Sequence, residues 1–224
     1  MKRVGDPKSL KATWDPIENI KTALEHYDRI GVWLSGGADS ALGLYITQLY
    51  NENTKIVPIH GLDIARWIEG QTFLSNTAAD NVLNKVRKLL PEKSHLVSDV
   101  YHFEYNKQAN ETKGQYHQPI EDMLKERDEI QIALGFVTAN PPFKLHPQQE
   151  ARRDGRDPKL RRPFQTINKK WVAQKYEEYG LLDNLFPLTV SCVGNKDVPC
   201  EKCFWCKEKY WAFGAYDGGT PQLR

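Results

Sequence analysis

Apolar residues along this chain fall into short runs whose spacing switches between helical and strand-like. Ile17, Ile20, Ala23 and Leu24 recur at helical spacing and predict a helix over 17–29. The continuous run Ile30-Gly31-Val32-Trp33-Leu34 reads as a buried strand. Ala41–Tyr50 is again helical, Lys55–His60 is a second strand, and Thr77–Leu90 is an amphipathic helix ended by Pro91. His95–Phe103 is a third strand candidate, Pro119–Arg127 a helix, and the alternation of Ile130, Ile132, Leu134 and Phe136 predicts a fourth strand closing at Asn140-Pro141-Pro142. Strands alternating with helices predict an α/β domain, a mostly parallel sheet flanked by helices.

Two stretches stand outside this rhythm. Residues 1–16 are polar and read as an N-terminal arm, followed by an α/β domain over 17–143. The segment 144–175 carries ten cations: Lys144, Arg152, Arg153, Arg156, Lys159, Arg161, Arg162, Lys169, Lys170 and Lys175. Up to Pro163 it has no apolar periodicity and reads as a long basic loop; Asn168 then caps a helix running to Tyr179, with Gly180 as its stop. Such a run is either a solvated face or an anion site for triphosphate or a nucleic-acid backbone. The loop and helix make a unit over 144–190, before a C-terminal subdomain over 191–224.

Composition narrows the class. The chain has 224 residues, 27% of them charged and 40% hydrophobic, with a net charge of +2. That suits a soluble domain with a sizeable core and excludes disorder as the main state. Total charge does not argue for nucleic-acid binding. No run approaches a membrane span, and the start lacks the apolar stretch of a signal peptide, so a cytoplasmic protein with no membrane partner is expected.

The segment Ser35-Gly36-Gly37-Ala38-Asp39-Ser40 is the most informative. It follows a buried strand and opens a helix. Two glycines let the backbone turn tightly and gather N–H groups around one anion, and the helix adds its positive end. Ser35 and Ser40 can donate hydroxyl hydrogen bonds. Asp39 would repel a phosphate unless Mg²⁺ bridged the two. The plainer alternative is a tight strand-to-helix turn with Ser40 as a cap. No Gly-Lys-Ser/Thr follows, so this is not a Walker loop, nor is it a G-x-G-x-x-G dinucleotide turn.

All four cysteines lie between Cys192 and Cys206, spaced Cys192-x7-Cys200-x2-Cys203-x2-Cys206. Four thiolates fill the tetrahedral shell of Zn²⁺, which points to a structural knot with no open position. Lys196, Lys202, Lys207 and Lys209 offset its negative charge. An iron–sulfur cluster and disulfides are the alternatives.

Ser-Gly-Gly-x-Asp-Ser resembles the signature loop of the PP-loop ATP pyrophosphatases, which bind ATP there and cleave it between the α and β phosphates. The loop combined with the cysteine pattern is similar to the layout of the 7-cyano-7-deazaguanine synthases. Pro163-Phe164-Gln165-Thr166-Ile167-Asn168-Lys169-Lys170, the helix to Gly180, Thr189-Val190-Ser191-Cys192, and Trp205 with Ala212-Phe213, where the family has a short helix after its last cysteine, match as well. The resemblance covers 30–45 and 163–214. Between them the chain departs from the pattern: Glu69-Gly70-Gln71 is the nearest element to the family's Tyr-Gly-Gln, and Asn140 is followed by Pro141-Pro142-Phe143.

The resemblance implies an adenine nucleotide alpha hydrolase-like, Rossmann-like fold with a C-terminal four-cysteine zinc knot. It implies ATP, Mg²⁺ and Zn²⁺ as cofactors, and a homo-oligomer. ATP would lie on Ser35, Gly36, Gly37, Ala38, Asp39 and Ser40, with Asp39 and Ser40 in the catalysis. The implied reaction turns 7-carboxy-7-deazaguanine and ammonia into 7-cyano-7-deazaguanine through an adenylated intermediate. Two other readings are a PP-loop enzyme adenylating another base or a nucleic acid held by the 144–175 segment, and a zinc-knot nucleic-acid-binding protein with a vestigial nucleotide site. Of the histidines, His60 at a strand end is the best site candidate; Trp67, Trp205 and Trp211 are candidates to stack a purine.

Overall fold

A computed structural model describes residues 15–63, 74–105, 118–139, 141–142, 159–192 and 198–223. Five parallel strands form one sheet in the order β3-β2-β1-β4-β5. They are β1 (Arg29–Trp33), β2 (Lys55–Asp63), β3 (Tyr101–Tyr105), β4 (Ile132–Leu134) and β5 (Leu160–Arg161). The helices are α1 (Pro16–His26), α2 (Ala38–Leu49), α3 (Leu74–Leu89), α4 (Gln118–Glu126), α5 (Lys169–Glu178) and α6 (Phe204–Phe213), with 3₁₀ turns at Pro91–Leu96 and Phe186–Leu188. The expected α/β class is met, with parallel strands and flanking helices. None of the described helices is long and apolar enough to cross a membrane.

Strand alternation sorts the apolar side chains of β1. Ile30 and Val32, with Leu34 just beyond the strand, join the larger core cluster, which also takes in α1, α2 and α3 residues such as Ile20, Leu42 and Val82. Trp33 turns the other way, toward a second cluster that includes Ile59 and the α4 residues Met123 and Leu124. The larger cluster continues through Val172 and Tyr176 of α5, Phe186, and Phe213 of α6, so the helix carrying the last cysteine shares the sheet's core. Phe213 packs on Phe186 at 4.6 Å and edge-on to Tyr176 at 5.4 Å between ring centroids.

The helix expected over 17–29 ends at His26, with Arg29 already in β1, and β2 runs on to Asp63. Three differences from the sequence expectation are larger. His95 and Leu96 belong to the 3₁₀ turn, and β3 starts only at Tyr101. Pro91 fixes the first φ of that turn, and Gln48 at the end of α2 donates to the carbonyl of Lys93, which pins it. β4 is shorter than its alternation suggested, although Gly135 N–H still donates to Arg161 O at 2.8 Å. Leu160–Arg161, inside the expected basic loop, is a fifth strand; two residues are too few to show a period. Residues 144–158 of that loop, with Lys144, Arg152, Arg153 and Arg156, lie outside the described residues. Asn168 caps α5 as expected, its side chain accepting from Lys170 and Trp171 N–H, and Gly180 takes φ +65° beyond the helix end.

This topology reverses direction at β1. The chain passes from β1 through α2 to β2 on one side, while β4 and β5 occupy the other. The carboxyl ends of β1 and β4 therefore flank the topological switch point, the place where open parallel sheets bind ligands. Ser35–Ser40 leaves β1 there, and Gly135–Ala139 leaves β4.

Candidate functional site

The loop after β1 turns by way of Gly36, at φ +80°. A Cβ on Gly36 would lie 2.6 Å from the Ala78 Cβ of α3. Gly36→Ala meets both that clash and the left-handed backbone, so a loss of about 1–3 kcal/mol is expected. In a thermal melt this should lower the Tm by roughly 3–10 °C.

Gly37 is the N-cap of α2, and no side chain caps the helix. Helix geometry leaves the N–H groups of Ala38, Asp39 and Ser40 without intrahelical acceptors. Ser40 is therefore not the cap. It sits in the first turn, donates to Gly37 O at 3.0 Å, and its Oγ lies 3.0 Å from that of Ser35. Gly37 N–H donates to Ser35 Oγ at 3.3 Å. The structure thus gathers Ser35, Gly36, Gly37, Ala38, Asp39 and Ser40 into one concave turn at the helix's positive end, with hydroxyls at both of its ends.

Asp39 points into a buried charge network. Its Oδ2 is 3.2 Å from Lys169 Nζ and accepts from Thr138 Oγ1, beyond β4, at 3.5 Å. Lys169 in turn lies 2.6 Å from Glu208 Oε2 on α6. Lys169 and Glu208 are 4% and 5% exposed, against 16% for the Asp39 side chain. Two carboxylates face one ammonium, leaving one formal negative charge in excess. Burial raises the pKa of Asp39, with Lys169 pulling against it; Glu208 is raised for the same reason. The two carboxylates outweigh the burial cost at Lys169 and raise its pKa, so it stays charged. The Oδ1 of Asp39 is buried and has no hydrogen-bond partner among the described residues.

A second buried lysine braces the approach to the cysteines. Lys209 donates to Thr189 O at 2.9 Å, to Thr189 Oγ1 at 2.7 Å and to Asp217 Oδ1 at 2.6 Å. Asp217 accepts in turn from Ser191 and Cys192 N–H. Next to these, Val190 N–H donates to Gly36 O at 2.9 Å, tying the segment before Cys192 to the glycine turn.

Cys192, Cys200, Cys203 and Cys206 come together with their sulfurs all within 4.8 Å of one another, and no disulfide joins them. Tetrahedral coordination at zinc–sulfur distances asks for sulfurs about 3.8 Å apart, so the set fits a four-thiolate metal with a small contraction. The Cys200 thiol is lowered to about 6 by N–H groups of Lys202 and Cys203, whereas burial raises Cys206. A cation at the centre would favour loss of both protons. The helix expected after the last cysteine in fact begins at Phe204 and carries Cys206 in its first turn.

No family model matches this chain, and no curated protein does.

His60 is buried, its Nδ1 2.7 Å from Leu34 O, and its ring meets that of His102 edge-on. Burial lowers its pKa, which favours the neutral ring. Trp205 packs edge-on against Phe204, and Trp211 lies under Lys170; Trp67 is outside the described residues. The sequence reading missed Thr138 and Glu208 altogether; it had Lys169 as one cation in a basic run and inside the Pro163–Lys170 stretch that carries the family resemblance. A physical clue was position: Lys169 follows the helix cap Asn168, where a solvated lysine gains nothing from the helix's positive end.

Proposed function

We propose that this chain is an ATP-dependent adenylating enzyme of the PP-loop type, with a Rossmann-like fold, that converts 7-carboxy-7-deazaguanine and ammonia to 7-cyano-7-deazaguanine. The observation that carries the ATP half is the unpartnered Asp39 Oδ1, set in a network with surplus negative charge beside a row of helix N–H groups. That pairing suits a phosphate and a divalent cation together and suits neither alone. The order and spacing of the glycine loop and the four cysteines support the deazaguanine half, by resemblance.

In this reading the N–H groups of Ala38, Asp39 and Ser40 and the hydroxyls of Ser35 and Ser40 hold the triphosphate. Asp39 Oδ1 holds Mg²⁺, which when bound would neutralise charge on the phosphates. A substrate carboxylate oxygen attacks the α-phosphorus and pyrophosphate leaves, which places the catalytic burden on positioning and charge neutralisation. Ammonia displaces AMP to give the amide; a second adenylation, on the amide oxygen, lets AMP leave again and forms the nitrile. Zinc occupies the four thiolates as a structural ion with no open position.

The test is incubation with Mg-ATP, ammonium and 7-carboxy-7-deazaguanine. Mass spectrometry should find the nitrile, and chromatography AMP. AMP without nitrile keeps the adenylation and overturns the substrate; neither product from folded, zinc-loaded protein overturns both.

A further inference from the structure

We infer that Glu208, on the helix that carries Cys206, is a positioning residue for Asp39: by holding Lys169 it keeps the Asp39 carboxylate available to a divalent cation. The inference rests on the nucleotide reading above. Lys169 is the link between the two carboxylates among the described residues, and it sits closer to Glu208, at 2.6 Å, than to Asp39, at 3.2 Å. Glu208 itself makes no hydrogen bond to the glycine turn among the described residues.

The charge balance gives Glu208 its role. A lysine paired only with Asp39 would neutralise that carboxylate and compete with any incoming cation. With Glu208 taking the nearer share of the ammonium, the trio keeps one negative charge, and it falls on Asp39, whose buried Oδ1 has no hydrogen-bond partner among the described residues. Burial strengthens the effect because the surroundings screen the charges weakly. Glu208 is also held in place from both sides. Cys206 stands two residues before it in the same helix, and Lys209, next to it, is locked to Thr189 and Asp217. The cysteine knot therefore sets where the distant carboxylate stands relative to the nucleotide loop.

The test uses the full chain, zinc content verified, with α,β-methylene-ATP as a non-cleavable probe. Its Kd is measured by calorimetry across a Mg²⁺ titration, and without Mg²⁺. Glu208→Gln keeps the shape and removes the charge. It should need about tenfold more Mg²⁺ for the same affinity, the size of coupling seen between contacting charged groups. Its Mg²⁺-free affinity should be unchanged or tighter, because Lys169 is then free to favour phosphate. The double variant Lys169→Met with Glu208→Gln restores a net charge of one negative, now on Asp39 alone, and its Mg²⁺ response should return toward that of the wild type. A merely structural role would weaken binding equally with and without Mg²⁺, and that result overturns the inference. So does a Glu208→Gln variant with the wild-type Mg²⁺ response, or, if that variant does not fold, a double variant without it. A wild-type chain whose nucleotide affinity ignores Mg²⁺ overturns the nucleotide reading itself, and this inference with it.

Discussion

Replacing Asp39 with Asn is expected to lower AMP formation on the order of a thousandfold while leaving the fold intact. Asn is isosteric and still accepts from Thr138 through its oxygen, but it brings no charge to the buried position where Oδ1 now lacks a partner. Lys169 then pairs with Glu208 alone, at 2.6 Å, and the network becomes neutral. Stability should hold or rise, because burial makes the charged form of Asp39 unfavourable in the native state. The sign follows from proton linkage. A carboxyl whose pKa is raised on folding keeps its proton in the native protein at a pH where the unfolded chain has released it. Stability therefore falls as pH rises from the ordinary carboxylate range through the raised value. Asp39→Asn removes one contributor to that slope, so its stability profile should be flatter than that of the wild type above about pH 4. Product assays paired with thermal melts across roughly pH 4–7 check both halves. Wild-type turnover in the variant would remove Asp39 from the mechanism. A large fall in Tm would mean that its charge supports the fold instead.

The loop was legible in the sequence because each of its requirements has a local signature. A buried strand, a glycine at φ +80° and a helix start must follow one another within a few residues, and Leu34, Gly36 and Ala38 do so in order. The cysteine cluster was legible for the same reason, its x2 spacings being short-range geometry. What surrounds Asp39 was not. Thr138 and Lys169 reach it directly and Glu208 through Lys169, from three separate parts of the chain, and no local spacing marks residues so far from Asp39 in sequence. A buried lysine reads in sequence like a solvated one, because the difference lies only in what packs over it. The fifth strand escaped for a related reason: its two residues pair with β4 through backbone groups, which carry no side-chain pattern.

Stripping the proposed zinc from the four cysteines is expected to cost more than the knot itself. Structural zinc sites return on the order of 10–16 kcal/mol on binding, a large part of which is folding free energy. Here Cys203 is the N-cap of α6, Cys206 stands in its first turn, and Ala212 and Phe213 at its far end are core residues. Loosening the cysteine end of this helix would therefore strain contacts of Phe213 with Phe186 and Tyr176, and through Val190 it would reach the carbonyl of Gly36. Chelation under reducing conditions should release one zinc per chain, expose four titratable thiols and lower the Tm by more than roughly 10 °C. Nucleotide affinity should fall with it, because Glu208 and the segment before Cys192 lose their anchors together. Cys206→Ser should act like chelation, since Cys206 is the buried member of the set and serine is a poor zinc ligand. If metal-free protein melts at the same temperature and binds nucleotide equally well, the thiols do not hold a structural ion. The packing of α6 against the core would then have to position Glu208 without one.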